Sequence, residues 1–319
     1  MKQLLVCFFL LLAHPLLSQK PIRQQPAFDV VPLGVLGGID ESNLSAYLVA
    51  GAGTNAYIGL DAGTIYAGIE KAIRNKIFSG TAGNVLKQQI RGYFISHAHL
   101  DHVAGLIMTS PNDSAKTIYA LPSSMKLMQD HYFNGDTWAN FGDAGKGYQI
   151  KQYHYQTLTA EEEIAVAQTA LKVTPYVLSH VHPFESTAFL VENQGAYLLY
   201  LGDTGPDEVE QSNRLQLLWE RVAPLIRAGK LRGIFIEVSY PNNQPDKKLF
   251  GHLTPAWLMK EMNVLAGLTG RERLKGLNVV ITHGKPPVQK IAQLQQELKA
   301  NNPLGLNLIF PEQGKRIGF

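Results

Sequence analysis

This chain has almost no cysteine, little charge, and no apolar run long enough to cross a bilayer. Its one cysteine, Cys7, sits near the start of the 319 residues. Beyond it no disulfide can form, and no thiolate can serve as a metal ligand. Charged residues make up 17% of the chain, with a net charge of +3. That excludes a long disordered polyelectrolyte and the Lys/Arg clusters that track nucleic-acid phosphates. The all-apolar run 4–12 is too short for a spanning helix. Preceded by Met1-Lys2-Gln3 and followed by a polar region from Gln19, it has the pattern of a signal peptide. The expectation is a signal peptide over 1–18, cut near Ser18 or Gln19, and one domain over 19–319. Cys7 would leave with the signal peptide. The mature protein would be secreted or periplasmic, with no stable membrane anchor.

What remains is rich in apolar residues, 45% of the chain, which is enough for a full core. Apolar runs and helical periodicities alternate along it. Strands are expected at 46–49, 56–60, 93–95, 117–120, 171–176, 188–191, 197–201, 233–237, 279–282 and 306–310. Helices are expected near 65–77, 85–89, 103–108, 123–132, 214–228, 255–266 and 288–300. The Gly- and Asp-rich segment 134–148 carries Trp138 and Phe141. A loop of that length suggests a lid over a site, and those aromatics either stack on a base or pack the loop.

Ile95-Ser96-His97-Ala98-His99-Leu100-Asp101-His102 packs three imidazoles and a carboxylate behind an apolar strand. Such polar density is costly to bury unless it binds something, and these are donors that zinc and its first-row neighbours take. His180, Asp203 and His283 each follow apolar strand residues. Ligands gather at the carboxyl ends of strands in α/β sheets. The expected division puts His97, His99 and His180 on one ion and Asp101, His102 and His283 on a second. Asp203 bridges them. The expected cofactors are therefore two divalent ions, most simply Zn2+.

The string His97-x-His99-x-Asp101-His102, the later histidines and the Gly202-Asp203-Thr204 turn resemble the metallo-β-lactamase superfamily. Asp61-Ala62-Gly63-Thr64 is similar to its early Asp-x-Gly turn, which implies that Asp61 supports a ligand. The longer run from His97 to Pro111 resembles the signature of the class II 3′,5′-cyclic nucleotide phosphodiesterases. Segments 202–207, 236–240, 251–255 and 282–286 are similar to later blocks of that family. The resemblance implies a four-layer αββα sandwich of α/β class. It also implies hydrolysis of cAMP or cGMP to nucleoside 5′-monophosphates by a hydroxide held between the metals. In this chain Val181-His182-Pro183 follows His180 where the family turns at a glycine. His180 is taken as the ligand, with His182 as the alternative.

Two divalent ions balanced by Asp101, Asp203 and a hydroxide leave a residual charge that suits one phosphodiester. His252, in a loop after the strand ending at Glu237, is expected to contact the phosphate or protonate the leaving oxygen. Glu237 would orient it, and Asp101 would serve as both ligand and catalytic carboxylate. His131 and His154 have no motif around them. The expected partner is a small cyclic nucleotide rather than a nucleic acid, and a homodimer is left open. The alternatives are another hydrolase of this fold acting on a lactone, an ester or a different phosphodiester, or a non-catalytic metal-dependent binding protein.

Overall fold

Side chains alternate with period two along strands that are buried on both faces. Along Ala46–Gly51, Tyr47 and Val49 enter one hydrophobic cluster, while Ala46, Leu48 and Ala50 enter another. Along Ala196–Leu201, Leu198 and Tyr200 join the cluster of Tyr47, and Leu199 and Leu201 face a third. A strand buried on both faces must lie between two layers.

The computed structural model describes residues 25–319. The expected signal peptide, with Cys7 and His14, lies outside the described residues. The strands are β1 (Phe28–Gly34), β2 (Ala46–Gly51), β3 (Tyr57–Leu60), β4 (Ile90–Phe94), β5 (Lys116–Ala120), β6 (Tyr153–Thr157), β7 (Ile164–Ala165), β8 (Lys172–Ser179), β9 (Glu185–Asn193), β10 (Ala196–Leu201), β11 (Leu231–Glu237), β12 (Asn278–Thr282), β13 (Asn307–Ile309) and β14 (Ile317–Gly318). The helices are α1 (Tyr66–Arg74), α2 (Ala82–Gln89), α3 (Leu100–Thr109), α4 (Pro122–Leu127), α5 (Asp207–Glu210), α6 (Arg214–Arg227), α7 (Pro255–Thr269) and α8 (Val288–Ala300).

Two seven-stranded sheets result, ordered β14-β1-β2-β3-β4-β5-β6 and β13-β12-β11-β10-β9-β8-β7. Between them lies an aromatic layer. Phe94 stacks on Tyr119 at 4.3 Å and meets Phe189 of the other sheet edge-on at 5.5 Å, and Tyr47 meets Phe235 at 5.5 Å. The outer face of the first sheet packs on α1, α2 and α3 through Ile69, Val85, Val103 and Leu106. The outer face of the second packs on α6, α7 and α8 through Trp219, Val222, Met262 and Leu294. This is the expected four-layer αββα sandwich. β3 and β4 run parallel, as do β10, β11 and β12, and β8 runs with β10 because both are antiparallel to β9. Their carboxyl ends meet at one edge of the sandwich.

β1 and β6 were not expected from the sequence. β1 contains Pro32 at a register shift, past Asp29 and Val30, the residues that pair with β14, so no partner on that side needs its N–H. β6 reads Tyr-His-Tyr-Gln-Thr, an edge strand with one polar side. Of the two readings of Trp138 and Phe141, the packing bears out the structural one. Phe141 is buried in the first core against Phe133, and the Trp138 indole N–H donates to Ser110 Oγ at 3.0 Å, just past the far end of α3 from its His-rich start. Asn140 pins the loop by donating to the Ala144 and Lys146 carbonyls. These aromatics serve the core, so they are not free to stack on a substrate.

Candidate metal centre

β4 ends at Phe94, and the chain turns through His97 and His99 into α3, with Asp101 and His102 in its first turn. Asp61 follows β3 with a left-handed backbone, φ 55°, and is fully buried. Its carboxylate accepts from Ser96 N at 2.7 Å, Ser96 Oγ at 2.8 Å, His102 Nδ1 at 2.8 Å and Tyr200 OH at 2.6 Å. From the other sheet, His180 follows β8, Asp203 follows β10, Glu237 ends β11 and His283 follows β12. Gly37 passes so close to the His283 ring that a Cβ there would lie 2.2 Å from Cε1, so only glycine fits.

The hydrogen bonds fix the imidazole tautomers. His97 Nδ1–H donates to Ser96 Oγ at 3.0 Å, His102 Nδ1–H to Asp61, His180 Nδ1–H to the Gly251 carbonyl at 2.8 Å, and His283 Nδ1–H to Ser239 Oγ at 3.0 Å. Each ring is thereby oriented by an outer partner, and its Nε2 lone pair faces inward. His99 instead turns Nδ1 inward, 3.0 Å from His97 Nε2 and 3.3 Å from His180 Nε2. His102 Nε2 and His283 Nε2 lie 3.1 Å apart. Converging lone pairs repel one another, and a cation relieves the repulsion.

Asp203 sits among them, with Oδ1 3.3 Å from His102 Nε2 and Oδ2 3.3 Å from His283 Nε2 and 3.9 Å from His97 Nε2. Asp101 Oδ2 is 3.2 Å from His283 Nε2 and accepts from Gly38 N at 2.9 Å. Donor atoms of His97, His99 and His180 converge within 4.8 Å. So do those of Asp101, His102 and His283, and those of His97, His102 and Asp203. Burial, then the neighbouring His102, holds His97 well below the usual imidazole range, so it stays a neutral donor. Burial opposes charge on His102, yet Asp203 and Asp61 outweigh it and raise its pKa. The site thus sets His97, His99 and His180, all held neutral chiefly by burial, in a field that favours positive charge, and it fits divalent cations.

His180 is buried in this cluster. His182 is exposed, and its backbone N–H goes to Glu210 at 2.9 Å. His131 and His154 are exposed away from it. His252 joins the cluster's rim: its donor atoms converge within 4.8 Å with those of His180 and Asp203 and with those of Glu237 and His283, its Nδ1 is 2.7 Å from Glu237 Oε1, and its ring stacks on His283 at 5.3 Å. Glu237 also accepts from Ser239 Oγ at 2.6 Å and Thr204 N at 3.2 Å. Burial, then Asp203, pushes Glu237 up to about 7, and burial pushes His252 down to about 4. The sequence reading missed Ser96, Ser239, Tyr200 and the Gly251 carbonyl as orienting partners. Only the two serines carried a signal, each being a hydroxyl beside a charged or ligating residue at a strand end.

The model of the class-II cAMP phosphodiesterases matches residues 80–314. A relative from Aliivibrio fischeri, called 3′,5′-cyclic-nucleotide phosphodiesterase, is 42% identical over 310 residues, spanning 93% of this chain and 94% of its own length. Unliganded yeast PDE1 superposes with a TM-score of 0.82 at 22% identity, covering 92% of this chain and 100% of that one. The metallo-β-lactamase fold protein YhfI from Bacillus subtilis superposes at 0.58 with 16% identity, covering 91% and 99%. These likenesses carry the αββα fold, and the family match spans the strands and loops that deliver every donor described above except Asp61. The chain belongs to the class-II cAMP phosphodiesterase family.

Proposed function

We propose that this protein hydrolyses 3′,5′-cyclic nucleotides to nucleoside 5′-monophosphates at a centre of two zinc-like ions, and that it does so outside the cytoplasm. His97, His99 and His180 would hold one ion, and Asp101, His102 and His283 the other, with Asp203 serving both. When bound, such a pair acidifies water and stabilises charge on phosphorus oxygens. The observation that carries the reading is a pair of donor triads with Asp203 between them, within 4.0 Å of His97, His102, His180 and His283, in a chain of this family.

The chain's own residues supply the proton. Hydrolysis adds the oxygen of water to phosphorus, breaks the phosphorus–O3′ bond, and leaves the 3′ oxygen in need of a proton. Burial raises the Glu237 pKa, which favours a form of the Glu237–His252 pair that carries one extra proton. In that state Glu237 donates to Nδ1, and His252 carries its own hydrogen on Nε2. Giving the Nε2 hydrogen to O3′ while Nδ1 takes the Glu237 proton restores the Nδ1–H to Oε1 bond seen at 2.7 Å.

The test is purified mature protein, loaded with zinc or manganese, against cAMP, cGMP, a 2′,3′-cyclic nucleotide, a lactone and a β-lactam. The expected result is 5′-AMP and 5′-GMP from the first two. Turnover of only the lactone or the β-lactam would replace the reading with another hydrolase of this fold. Metal binding without turnover of any would make it a binding protein.

A further inference from the structure

A cleft of about 160 Å³ opens beside the metal centre. His99 and His180 form its inner side, Leu127 and Phe184 supply apolar surface, and Ser123 and Glu185 supply polar surface. Phe184 is 66% exposed and Leu127 41%, so two bulky apolar side chains stand in water next to the donor cluster. The turn between β8 and β9 fixes Phe184 against His180. The His180 N–H donates to the Phe184 carbonyl at 3.2 Å, and the Phe184 N–H donates to the Val181 carbonyl at 3.1 Å. Val181 holds a left-handed φ of 56°, which is strained for a β-branched residue. A strained turn that presents an exposed aromatic at a reaction centre is a feature that function, rather than packing, accounts for.

We infer that this cleft seats the base of the cyclic nucleotide, with Phe184 and Leu127 as its apolar walls and the Glu185 carboxylate reading the base's N–H edge. The inference rests on the hydrolysis proposed above. A phosphate held at the metals leaves the base to extend sideways. The cleft has room for a heterocycle but not for a whole nucleotide. Every base offers a π face to an aromatic wall.

Glu185 gives the seat a preference. Its Oε2 accepts from Ser123 Oγ at 3.2 Å, and its remaining lone pairs can only accept. Guanine presents a ring N–H and an exocyclic amine side by side, so a carboxylate takes two hydrogen bonds from it. Adenine presents one amine next to a ring nitrogen that is itself an acceptor. Glu185 therefore favours cGMP over cAMP.

The experiment compares metal-loaded wild type, Phe184→Ala and Glu185→Gln on cAMP, cGMP and 1-deoxyribose 3′,5′-cyclic phosphate, the same cyclic diester with no base. Phe184→Ala is expected to raise KM for both cyclic nucleotides about tenfold, the scale of one lost base–aromatic contact. Its metal content and its rate on the base-free diester should not change. Glu185→Gln is expected to lower the cGMP-to-cAMP ratio of kcat/KM by about tenfold. Cyclic-nucleotide KM values unchanged by Phe184→Ala, or an equal loss on the base-free diester, would overturn the seat. An unchanged ratio in Glu185→Gln would overturn the reader. A wild type that cleaves the base-free diester but neither cyclic nucleotide would bring down the proposed hydrolysis and this inference together. Insensitive variants of an enzyme active on cyclic nucleotides would remove only the inference.

Discussion

His102 and His283 aim their Nε2 atoms at each other across 3.1 Å, from residues 181 apart in the chain. Asp61 holds one ring from behind and Ser239 the other, so neither nitrogen is free to turn away. Two sheets that share no strand are arranged to bring these lone pairs together. A shared proton or a metal cation among them makes that placement stabilising.

His252 is expected to act on the substrate rather than on the metal. His252→Ala should keep the metal content and lower kcat by about 10²–10⁴-fold. A diester whose leaving group needs no proton should lose much less. Loss of an ion in this variant would mean that His252 is a ligand.

Glu237 gives a pH-dependent prediction for the metal-free protein. Burial and Asp203 raise its folded pKa to about 7, above the ordinary carboxylate value of about 4.3. Stability from the protonated form is therefore present at low pH and is lost as pH rises through about 7. Glu237→Gln removes that loss. The difference in Tm between Glu237→Gln and wild type should move in the variant's favour from pH 5 to pH 8. A difference that stays flat would contradict the raised value.

Lys116 and Asp113 form an ion pair whose side chains are almost wholly buried, and Asp113 Oδ2 also accepts from Tyr93 OH at 2.9 Å and Tyr153 OH at 3.0 Å. Removing the ammonium leaves a buried carboxylate with only neutral donors. Lys116→Ala should cost about 3–5 kcal/mol in urea unfolding, with metal content retained at low denaturant. A cost under about 1 kcal/mol would mean that the pair behaves like an exposed one.

The 1–18 pattern predicts that exported protein begins near Gln19. N-terminal sequencing of material from the extracytoplasmic fraction checks it. Soluble cytoplasmic protein with Met1 intact would contradict it.

The donors were legible because each is a polar residue directly behind an apolar strand, where nothing but function accounts for it. His97, His180, Asp203 and His283 share that signature, and the structure brings all four to one edge of the sandwich. Their outer partners were harder to see. Tyr200 reads as an ordinary core residue of β10, and only folding places its hydroxyl 2.6 Å from Asp61. The Gly251 carbonyl carries no side chain to notice. Trp138 and Phe141 stayed ambiguous because loop composition does not say which way an aromatic turns, and the first core claimed both. β1 and β6 escaped because a proline and a polar face weaken the alternation that marks a strand.

Metal stoichiometry tests the two-ion centre most directly. Metal-free protein titrated with zinc, with elemental analysis after removal of excess, should retain about two ions per chain. His283→Ala should mostly empty one site, and Asp203→Ala should empty both or nearly so. A wild type that retains no zinc and gains no phosphodiesterase activity on adding zinc or manganese would contradict the account. So would an Asp203→Ala variant that binds both ions as the wild type does.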